Sequence, residues 1–473
     1  MKVNILGAAV LARGTLAGVT SEPKPVTSRP PQSTIHPALS SIYAAAATTE
    51  PQSPVSNVAS KAFDRIIQIW LENTDFNVSS GDPNMQWIAS QGILLTNYFA
   101  VTHPSQPNYA AVVAGDHFGM DHDDFISFPA NISTVVDLLD TKSISWDSYQ
   151  EDLPYPGFAG FNFSDQTTFA NDYVRKHNPL QLFSSVTNDA TKAAQIKSFM
   201  NLTSDITNHK LPQWSFITPN MRHDGHDTNI TFSSTWTRTF LSPHLNNPYV
   251  TTKTLIVLSF DENKSSPTPN RVSTVLLGGA IPPSLHGTTD SNLYTHYTML
   301  STVQANWGLP SLGKWDCDAN VLALVANWTG YRNAVVDTRG LFLNVSYPGP
   351  VSNKMFTPGW WPAPATGLKC AAGRGVLPAV VATWGRGEGT YNYTNVYPYD
   401  AVAGVAVGGE LADGENDNGR VGASSSSGGG GGAGPSATAA SPSATASGSV
   451  GVPVRPGGLI CVGVVGLVAV AVV

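Results

Sequence analysis

Six segments of the chain are apolar almost throughout and end in polar or turn residues. They cover residues 64–73, 92–101, 143–152, 213–220, 253–263 and 271–279. Runs that are apolar at every position, rather than alternating, are typical of strands covered on both faces, as in a parallel sheet. We therefore predict six buried strands.

Segments with helical periodicity lie between these runs, at residues 131–140, 190–201 and 297–308. A chain in which strands and helices alternate favours an open sheet, because each helix crosses from one parallel strand to the next. The expected fold class is α/β, with a mostly parallel sheet and helices on both faces.

Polar and acidic residues follow directly after the apolar runs. They are Glu72, Asn73, Ser105, Glu151, Asn220, Asp261 and Glu262. In open α/β sheets, ligands bind beyond the carboxyl ends of the strands. These side chains are therefore predicted to line a site at one edge of the sheet.

The stretch "YFAVTHPSQPNYAAVVAGDHFG", residues 98–119, interrupts a predicted strand with a polar turn and resumes as a helix. Pro107 and Asn108 suit the start of that helix, since proline has no N–H to leave unpaired there. Ser105 would then face the unpaired N–H groups of the first helical turn, where anions bind. The alternative is that Ser105 is an ordinary helix cap.

Two pairs of residues offer hard oxygen ligands for a divalent metal such as Mg²⁺, Ca²⁺ or Mn²⁺. They are Glu72 with Asn73, and Asp261 with Glu262. Adjacent acids at a buried strand end repel each other unless a positive charge lies beside them. The alternatives are a turn pair in the first case and a solvated loop in the second.

Basic side chains occur in several of the predicted loops: His103, Lys176, His177, His223 and His296. A single histidine in a loop is usually only a polar residue at the protein surface. Together with a serine at a helix N-terminus and acids at strand ends, however, they complete the requirements of phosphoryl transfer. These are a nucleophile, positive charge for the phosphoryl oxygens, and an acid for the leaving group.

The composition fits a globular core, with 41% hydrophobic and 9% aromatic residues but only 12% charged residues. The formal net charge is −7, and no basic run occurs, so we expect no nucleic-acid partner. Small phosphorylated substrates remain compatible with this charge.

The two ends of the chain differ from its middle. Residues 1–19 are predicted to be a signal peptide and residues 20–60 a disordered arm rich in Pro, Ser, Thr and Ala. Residues 413–449 are predicted to form a Ser/Gly/Ala-rich stalk, and residues 450–473 match a glycosylphosphatidylinositol (GPI) attachment signal. A true membrane span is the alternative for this tail. The chain is expected to be secreted and held by a lipid anchor at the membrane or cell wall.

N-glycans are a further expected modification, since Asn-x-Ser/Thr acceptors occur at Asn77, Asn131, Asn162, Asn201, Asn229, Asn263, Asn327, Asn344 and Asn392. Cys461 lies in the predicted attachment signal. Cys317 and Cys370 are therefore either one disulfide or two buried thiols.

Seven ordered motifs between residues 63 and 320 resemble the phosphoesterase family of fungal acid phosphatases and bacterial phospholipases C. They are "LENTDF", "THPSQPNYAAVVAG", "SWDSYQEDLP", "YVRKHNP", "PNMRHDGHD", "SFDEN" and "THYTMLSTVQANWGLPSLGKWD". The resemblance implies an alkaline-phosphatase-like fold for a catalytic core of residues 61–320. Residues 321–412 lie outside it and are expected to form a small β-rich cap or a wall-binding appendage.

The resemblance also implies roles for the residues in these motifs. Ser105 would be the nucleophile, and His223 and His296 would take part in catalysis. The phosphate would be bound by Asn108, His103, Lys176 and His177. A divalent ion, Ca²⁺, Mg²⁺, Mn²⁺ or Zn²⁺, would be held by Glu72, Asn73, Asp261 and Glu262.

The expected activity is that of a secreted, surface-anchored acid phosphatase that cleaves phosphomonoesters through a phosphoserine. "DENKSSPTPNRV" lacks the Asp-Glu-His and Gly-rich loop of bacterial diesterases, which favours monoester cleavage. The alternatives are a phospholipase C-type diesterase and a non-catalytic surface glycoprotein that kept the fold.

Overall fold

A computed structural model describes residues 37–317, 319–336, 338–343, 351, 364–367, 370 and 375–385, and the backbone of two further short strands. The predicted signal peptide, stalk and attachment signal, with Asn344, Asn392 and Cys461, lie outside the described residues. Within the described part, no helix is long and apolar enough to cross a membrane.

Thirteen strands occur among the described residues. They are β1 (Arg65–Leu71), β2 (Ile93–Phe99), β3 (Trp146–Gln150), β4 (Asn162–Phe163), β5 (Tyr173–Val174), β6 (Ile196–Ser198), β7 (Trp214–Thr218), β8 (Thr254–Phe260), β9 (Arg271–Leu277), β10 (Thr288–Asp290), β11 (Tyr294–Thr295), β12 (Tyr399–Asp400) and β13 (Val405–Ala406).

The main sheet has nine strands in the order β10-β2-β9-β8-β1-β7-β3-β6, with β11 also paired to β2. Every pairing in it is parallel except those of β9, which runs antiparallel to β2 and to β8. All six predicted strands are present. The prediction of a mostly parallel α/β sheet is therefore confirmed.

Thirteen α-helices occur among the described residues. They are α1 (Leu39–Ala46), α2 (Phe76–Gly81), α3 (Pro83–Ser90), α4 (Ser105–Ala114), α5 (Val135–Asp140), α6 (Ser184–Thr187), α7 (Ala190–Ala193), α8 (Phe199–Thr207), α9 (Ile230–Leu245), α10 (Pro248–Thr251), α11 (Tyr297–Trp307), α12 (Ala323–Thr329) and α13 (Pro378–Trp384).

The predicted helix over residues 190–201 is wrong, because the chain forms α7, β6 and α8 there. Lys197 explains the break. Its side chain is fully buried in β6, where the ammonium lies 3.0 Å from Asp147 and 2.8 Å from Asp205. A continuous helix would have to give up this buried ion pair, and losing one partner of such a pair is costly.

The predicted disorder of residues 20–60 is also wrong for the described part, residues 37–60. This segment begins with α1 and then follows the core in an extended course. The side chain of Gln213 accepts hydrogen bonds from Ser56 Oγ and Val58 N, both at 2.7 Å. Lys197 Nζ donates to the carbonyl of Gln52 and to Ser53 Oγ. Paired backbone groups hold the segment against the core, although its composition is that of a linker.

The described residues of 321–412 include the helices α12 and α13, which pack on the core, and the short strands β12 and β13. The β-rich cap or wall-binding appendage stays a prediction. Val325 and Val380, from α12 and α13, belong to the main apolar core. A disulfide joins Cys317 to Cys370, which decides between the two alternatives for these cysteines.

Candidate functional site

The site forms where β1 and β8 end side by side. Their parallel register pairs Leu71 with Phe260, so the next residues, Glu72 and Asp261, lie next to each other. Asn73 adopts φ 30°, in the left-handed region, and its N–H donates to Asp261 Oδ1 at 3.1 Å. The acidic residues that follow two separate strands in the sequence therefore lie together at this edge of the sheet.

Ser105 is the first residue of α4, and all ten residues of this helix are buried. Asn108 fixes the preceding turn. Its Oδ1 accepts from the N–H of Val101 and Thr102, and its Nδ2 donates to Thr102 O at 2.8 Å and to Glu262 Oε2 at 3.1 Å. The Asn108 amide, which was predicted to bind phosphate, thus joins the turn before Ser105 (the serine loop) to Glu262, which follows the end of β8 (the acidic strand end).

The Ser105 hydroxyl faces carboxylates. It donates to Glu72 Oε2 at 3.1 Å, and it also lies within hydrogen-bonding reach of Asp261 and Glu262. Ser105 is only 2% exposed. A hydroxyl that only capped its helix would bond to backbone N–H groups of the first turn. Ser105 instead points into the acidic cluster.

A second group of ligand atoms shares Glu72. His177 Nε2 lies 3.1 Å from Glu72 Oε1, and His177 Nδ1 lies 3.4 Å from Asp224 Oδ2. The three residues are buried, and one ligand atom from each lies within 4.8 Å of the others, so the group could hold a metal ion. Tyr109 OH donates to Glu72 Oε1 at 2.9 Å. The structure thus places His177, predicted to bind phosphate, among metal-ligand atoms.

Burial and mutual repulsion make this cluster electrostatically unfavourable without a cation. Burial, with added repulsion from Asp261 and Asp224, raises the pKa of Glu72 well above its ordinary value. Burial, and then Asp261, likewise raise the pKa of Glu262. Burial, and then the charge of Lys176, lower the pKa of His177 well below its ordinary value, which leaves its nitrogens as neutral ligand atoms.

Several of these atoms are buried without a hydrogen bond: Asn73 Oδ1, Asp261 Oδ2, Asp224 Oδ2 and both ring nitrogens of His177. Buried polar atoms are nearly always paired, because an unpaired one costs about 1–3 kcal/mol. His177 lies close to Glu72 and Asp224, yet no aligned hydrogen bond joins them. Oxygen and imidazole ligands that face one another in this way fit a divalent cation.

His296 is buried behind the cluster. One ring nitrogen, Nε2, lies 2.6 Å from the carbonyl of Asp261, and the other, Nδ1, lies 3.2 Å from Tyr98 OH. Burial lowers the pKa of His296 to about 3. A neutral imidazole with both nitrogens occupied positions the Asp261 backbone; it is poorly suited to the catalytic proton transfer that the sequence suggested.

The remaining predicted residues surround the cluster at different distances. His103 Nε2 lies 2.9 Å from the carbonyl of Asn263 and 4.0 Å from Glu262 Oε2. Lys176 Nζ bonds to Asp123 Oδ2 at 2.9 Å. His223 Nδ1 lies 2.8 Å from Glu151 Oε2, and the His223 ring is stacked on Trp236.

Two contributors to the cluster were missed by the sequence analysis. Asp224 occurs within the motif "PNMRHDGHD", but the adjacent histidines drew the prediction instead. Tyr109 lies four residues after Ser105, and residues at this spacing share a helix face. That spacing was the available signal for Tyr109. No comparable periodicity pointed to Asp224, which lies in a loop.

Asn263 is a predicted glycan acceptor, but it is only 2% exposed. Its Nδ2 already donates to Ser265 O at 3.0 Å and to Thr268 Oγ1 at 2.8 Å. The geometry therefore argues against a glycan at this position beside the acidic cluster. Asn77, Asn131, Asn229 and Asn327 are exposed.

Comparison with known proteins identifies the family. A model of the phosphoesterase family matches residues 79–310. An acid phosphatase of Aspergillus fumigatus is 56% identical over 363 residues, which cover 76% of this chain and 81% of that protein. The chain belongs to the phosphoesterase family. It is therefore a hydrolase of phosphoric esters, as the sequence predicted.

Other members of the phosphoesterase family extend the match. A phosphate-repressible acid phosphatase of Penicillium chrysogenum is 51% identical over 403 residues, covering 85% of this chain and 93% of that protein. This alignment is longer than residues 63–320 can hold, so the prediction that the C-terminal segment lies wholly outside the resemblance is wrong. A crystal structure in the alkaline phosphatase superfamily, from Vibrio parahaemolyticus, matches with a TM-score of 0.34 and 13% identity, covering 56% of this chain and 73% of that chain.

His296 should make the stability of this phosphoesterase depend on pH. Its pKa is 6.5 when solvated and about 3 when folded, because burial disfavours the imidazolium. Between these values the unfolded chain binds a proton that the folded protein does not. The contribution of His296 to the unfolding free energy should therefore decrease as the pH is lowered from about 6.5 to about 3, by at most about 1.4 kcal/mol per pH unit. Urea unfolding across this range should show a shallower fall for His296→Gln than for the wild type.

The exposed His286 provides the matched control. His286→Gln should leave the slope of the wild type unchanged. Parallel curves for His296→Gln and the wild type would contradict the neutral, buried state of His296.

Proposed function

We propose that this phosphoesterase is an acid phosphatase that transfers the phosphoryl group of a monoester to Ser105 and then to water. The observation that supports this most directly is the Ser105 hydroxyl, directed from the start of α4 onto Glu72 and within reach of Asp261 and Glu262. A nucleophile needs an adjacent group that favours its deprotonated form, and these carboxylates supply it directly or through a cation.

The residues around Ser105 have distinct parts in the first step. Ser105 Oγ attacks phosphorus and its proton leaves toward the Glu72 side. The Gln106 N–H at the start of α4 and the Lys176 ammonium stabilise the charge on the phosphoryl oxygens. Asn108 keeps the serine loop and Glu262 at a fixed separation. The same groups serve again when water attacks the phosphoserine.

Glu72, His177 and Asp224 would hold a divalent cation, and Asn73 Oδ1 and Asp261 Oδ2, which have no hydrogen bond, are further candidate ligands. Glu262 directly follows Asp261 and adds a further carboxylate at this edge of the sheet. When bound, the ion would lower the pKa of the serine hydroxyl and polarise a phosphoryl oxygen. These protein groups would hold the ion in place, and His296 contacts the carbonyl of Asp261 and so restrains that backbone.

We assign the leaving-group proton to His223. Glu151 Oε2 lies 2.8 Å from its Nδ1, so the other ring nitrogen, Nε2, is left for the substrate, and the side chain is 21% exposed. A histidine oriented by a carboxylate and open to solvent can give and regain a proton in each turnover. His103 is less suited to this role, since its Nε2 is directed to the carbonyl of Asn263.

We further propose that the enzyme acts outside the cell, as a glycosylated protein held at the membrane or wall by a GPI anchor. The support is the predicted signal peptide, the Ser/Gly-rich stalk and the apolar tail. The Cys317–Cys370 disulfide and the four exposed acceptor asparagines are compatible with secretion. Release from intact cells by a phosphatidylinositol-specific phospholipase C would test the anchor, and retention would contradict it.

Ser105→Ala should abolish hydrolysis of p-nitrophenyl phosphate while leaving the fold intact, because only the hydroxyl is lost. Brief reaction of the wild type with ³²P-labelled substrate, followed by acid quenching, should leave label on the Ser105 peptide. Ser90→Ala, an exposed serine at the end of α3, is the matched control and should retain full activity. Full activity of Ser105→Ala would exclude this serine as the nucleophile.

His223→Asn should slow the cleavage of alkyl phosphates about 10²–10³-fold, since a poor leaving group requires a proton. p-Nitrophenyl phosphate, whose leaving group is already stable as an anion, should be slowed far less. Glu151→Gln should show the same pattern with a smaller effect. Equal slowing of both substrates would mean that His223 has another role.

Removal of divalent metal should abolish activity and lower the thermal midpoint, because the buried carboxylates then repel without compensation. Dialysis against a chelator, followed by re-addition of Ca²⁺, Mg²⁺, Mn²⁺ or Zn²⁺, identifies the ion that restores both. Asp261→Asn should reduce bound metal by elemental analysis, whereas Asp140→Asn, an exposed carboxylate, should not. Full activity in a protein free of metal would contradict the proposal.

A further inference from the structure

A carboxylate already lies at the place where the substrate phosphate is expected. Asp123 Oδ1 accepts the backbone N–H of Gln106 at 3.0 Å, and Asp123 Oδ2 accepts from Lys176 Nζ at 2.9 Å. Gln106 directly follows Ser105 at the start of α4. One side chain therefore bridges the helix N-terminus beside the nucleophile and the lysine predicted to bind phosphate.

These two donors are the groups that the proposed reaction needs. A phosphoryl group bonded to Ser105 Oγ brings its oxygens to the first turn of α4, where unpaired N–H groups and the helix dipole favour anions. Lys176 supplies the positive charge. A carboxylate and a phosphoryl group offer the same chemistry to both donors, so each can replace the other.

Lys176 Nζ has a second neighbour besides Asp123. His226 Nε2 lies 3.3 Å from Lys176 Nζ and remains as a partner if Asp123 departs. The ammonium is thus available to a second anion once the first has moved.

Asp123 can leave without unfolding its loop. Its side chain is 28% exposed, whereas the loop is held by other contacts. Gln106 Nε2 donates to the carbonyl of Asp124 at 2.9 Å, and the Arg175 guanidinium lies 4.5 Å from the centre of the Phe125 ring. A rotation of the Asp123 side chain into water is sufficient to expose both donors.

We propose that Asp123 is a built-in competitor of phosphate, which occupies the phosphoryl site of the free enzyme and is displaced by substrate. Its carboxylate keeps the helix N-terminus and Lys176 paired between turnovers. The same competition weakens the binding of product phosphate and so favours its release. This inference rests on the proposed function, because it takes Ser105 and the start of α4 as the place of phosphoryl transfer.

Asp123→Asn tests the competition, since asparagine keeps an oxygen for the Gln106 N–H but loses the negative charge. Titration calorimetry with inorganic phosphate, on the metal-replete protein, should show a Kd about tenfold lower than that of the wild type. Inhibition by phosphate should tighten by the same factor, and the KM for p-nitrophenyl phosphate should fall. Asp123→Ser, with thermal melts of each variant, provides a second measurement if asparagine disturbs the fold.

Asp124→Asn is the matched control. It removes the same charge from the neighbouring residue, whose side chain is 73% exposed, and should leave the Kd for phosphate unchanged. In a Lys176→Met background, Asp123→Asn should have a smaller effect, because one of the contested donors is gone.

An unchanged or higher Kd in Asp123→Asn would overturn the competition and make Asp123 a positioning residue for Lys176. Equal tightening in Asp124→Asn would also overturn it, since the effect would then be general charge. If the wild type hydrolyses monoesters but Asp123→Asn fails to tighten phosphate, only this inference falls. If the wild type neither binds phosphate nor hydrolyses monoesters, the proposed function falls with it.

Discussion

The repulsion among four buried carboxylates at one sheet edge is the constraint on which the rest of the site depends. Glu72, Asp224, Asp261 and Glu262 are each at most 5% exposed, and burial is the first cause of the raised pKa of every one. Four such groups cannot all be ionised in a low-dielectric interior without positive charge. Proton uptake or a nearby positive charge must therefore offset this repulsion, and a divalent cation would do so without adding another titratable group.

The fold supports this arrangement through the backbone rather than through the carboxylates themselves. The parallel register of β1 and β8 places Glu72 beside Asp261, and His296 holds the carbonyl of Asp261. Asn108 ties the serine loop to the acidic strand end. These contacts use backbone groups or neutral side chains, and they leave Asp224 Oδ2 and Asp261 Oδ2 without a hydrogen bond and able to face a ligand. Such preorganisation is what catalysis of phosphoryl transfer requires, since no reorganisation is then needed as charge develops.

The sequence correctly predicted features that depend on local pattern. It failed where contacts between residues far apart in the chain determine the structure. Apolar runs identified all six predicted strands, and the rule that ligands bind at carboxyl ends identified Ser105, Glu72 and Asp261 as neighbours. The pattern could not reveal that Lys197 is held by two buried acids, which turns a helix-like segment into an edge strand. Nor could it assign His177 to the metal-capable group, because its partners come from β1 and from the loop after β7. Composition predicted disorder in the N-terminal arm, where hydrogen bonds that core side chains form with backbone groups and with the hydroxyls of Ser53 and Ser56 hold the segment in place.

The substrate of a phosphatase is an anion, so the acidic cluster alone would repel it. Two features of the site offset this repulsion. A cation at the carboxylates would reverse the sign of the inner site, while α4 and Lys176 supply positive potential at its entrance. Asp123 lies between these parts and pairs the entrance groups when no phosphate is bound. Cation binding and phosphate binding must then be thermodynamically coupled, because each reduces the repulsion that opposes the other. The affinity of this enzyme for phosphate therefore depends on all of these charges together. The proposed nucleophile determines where the phosphoryl group lies, and the surrounding charges supply the free energy of binding.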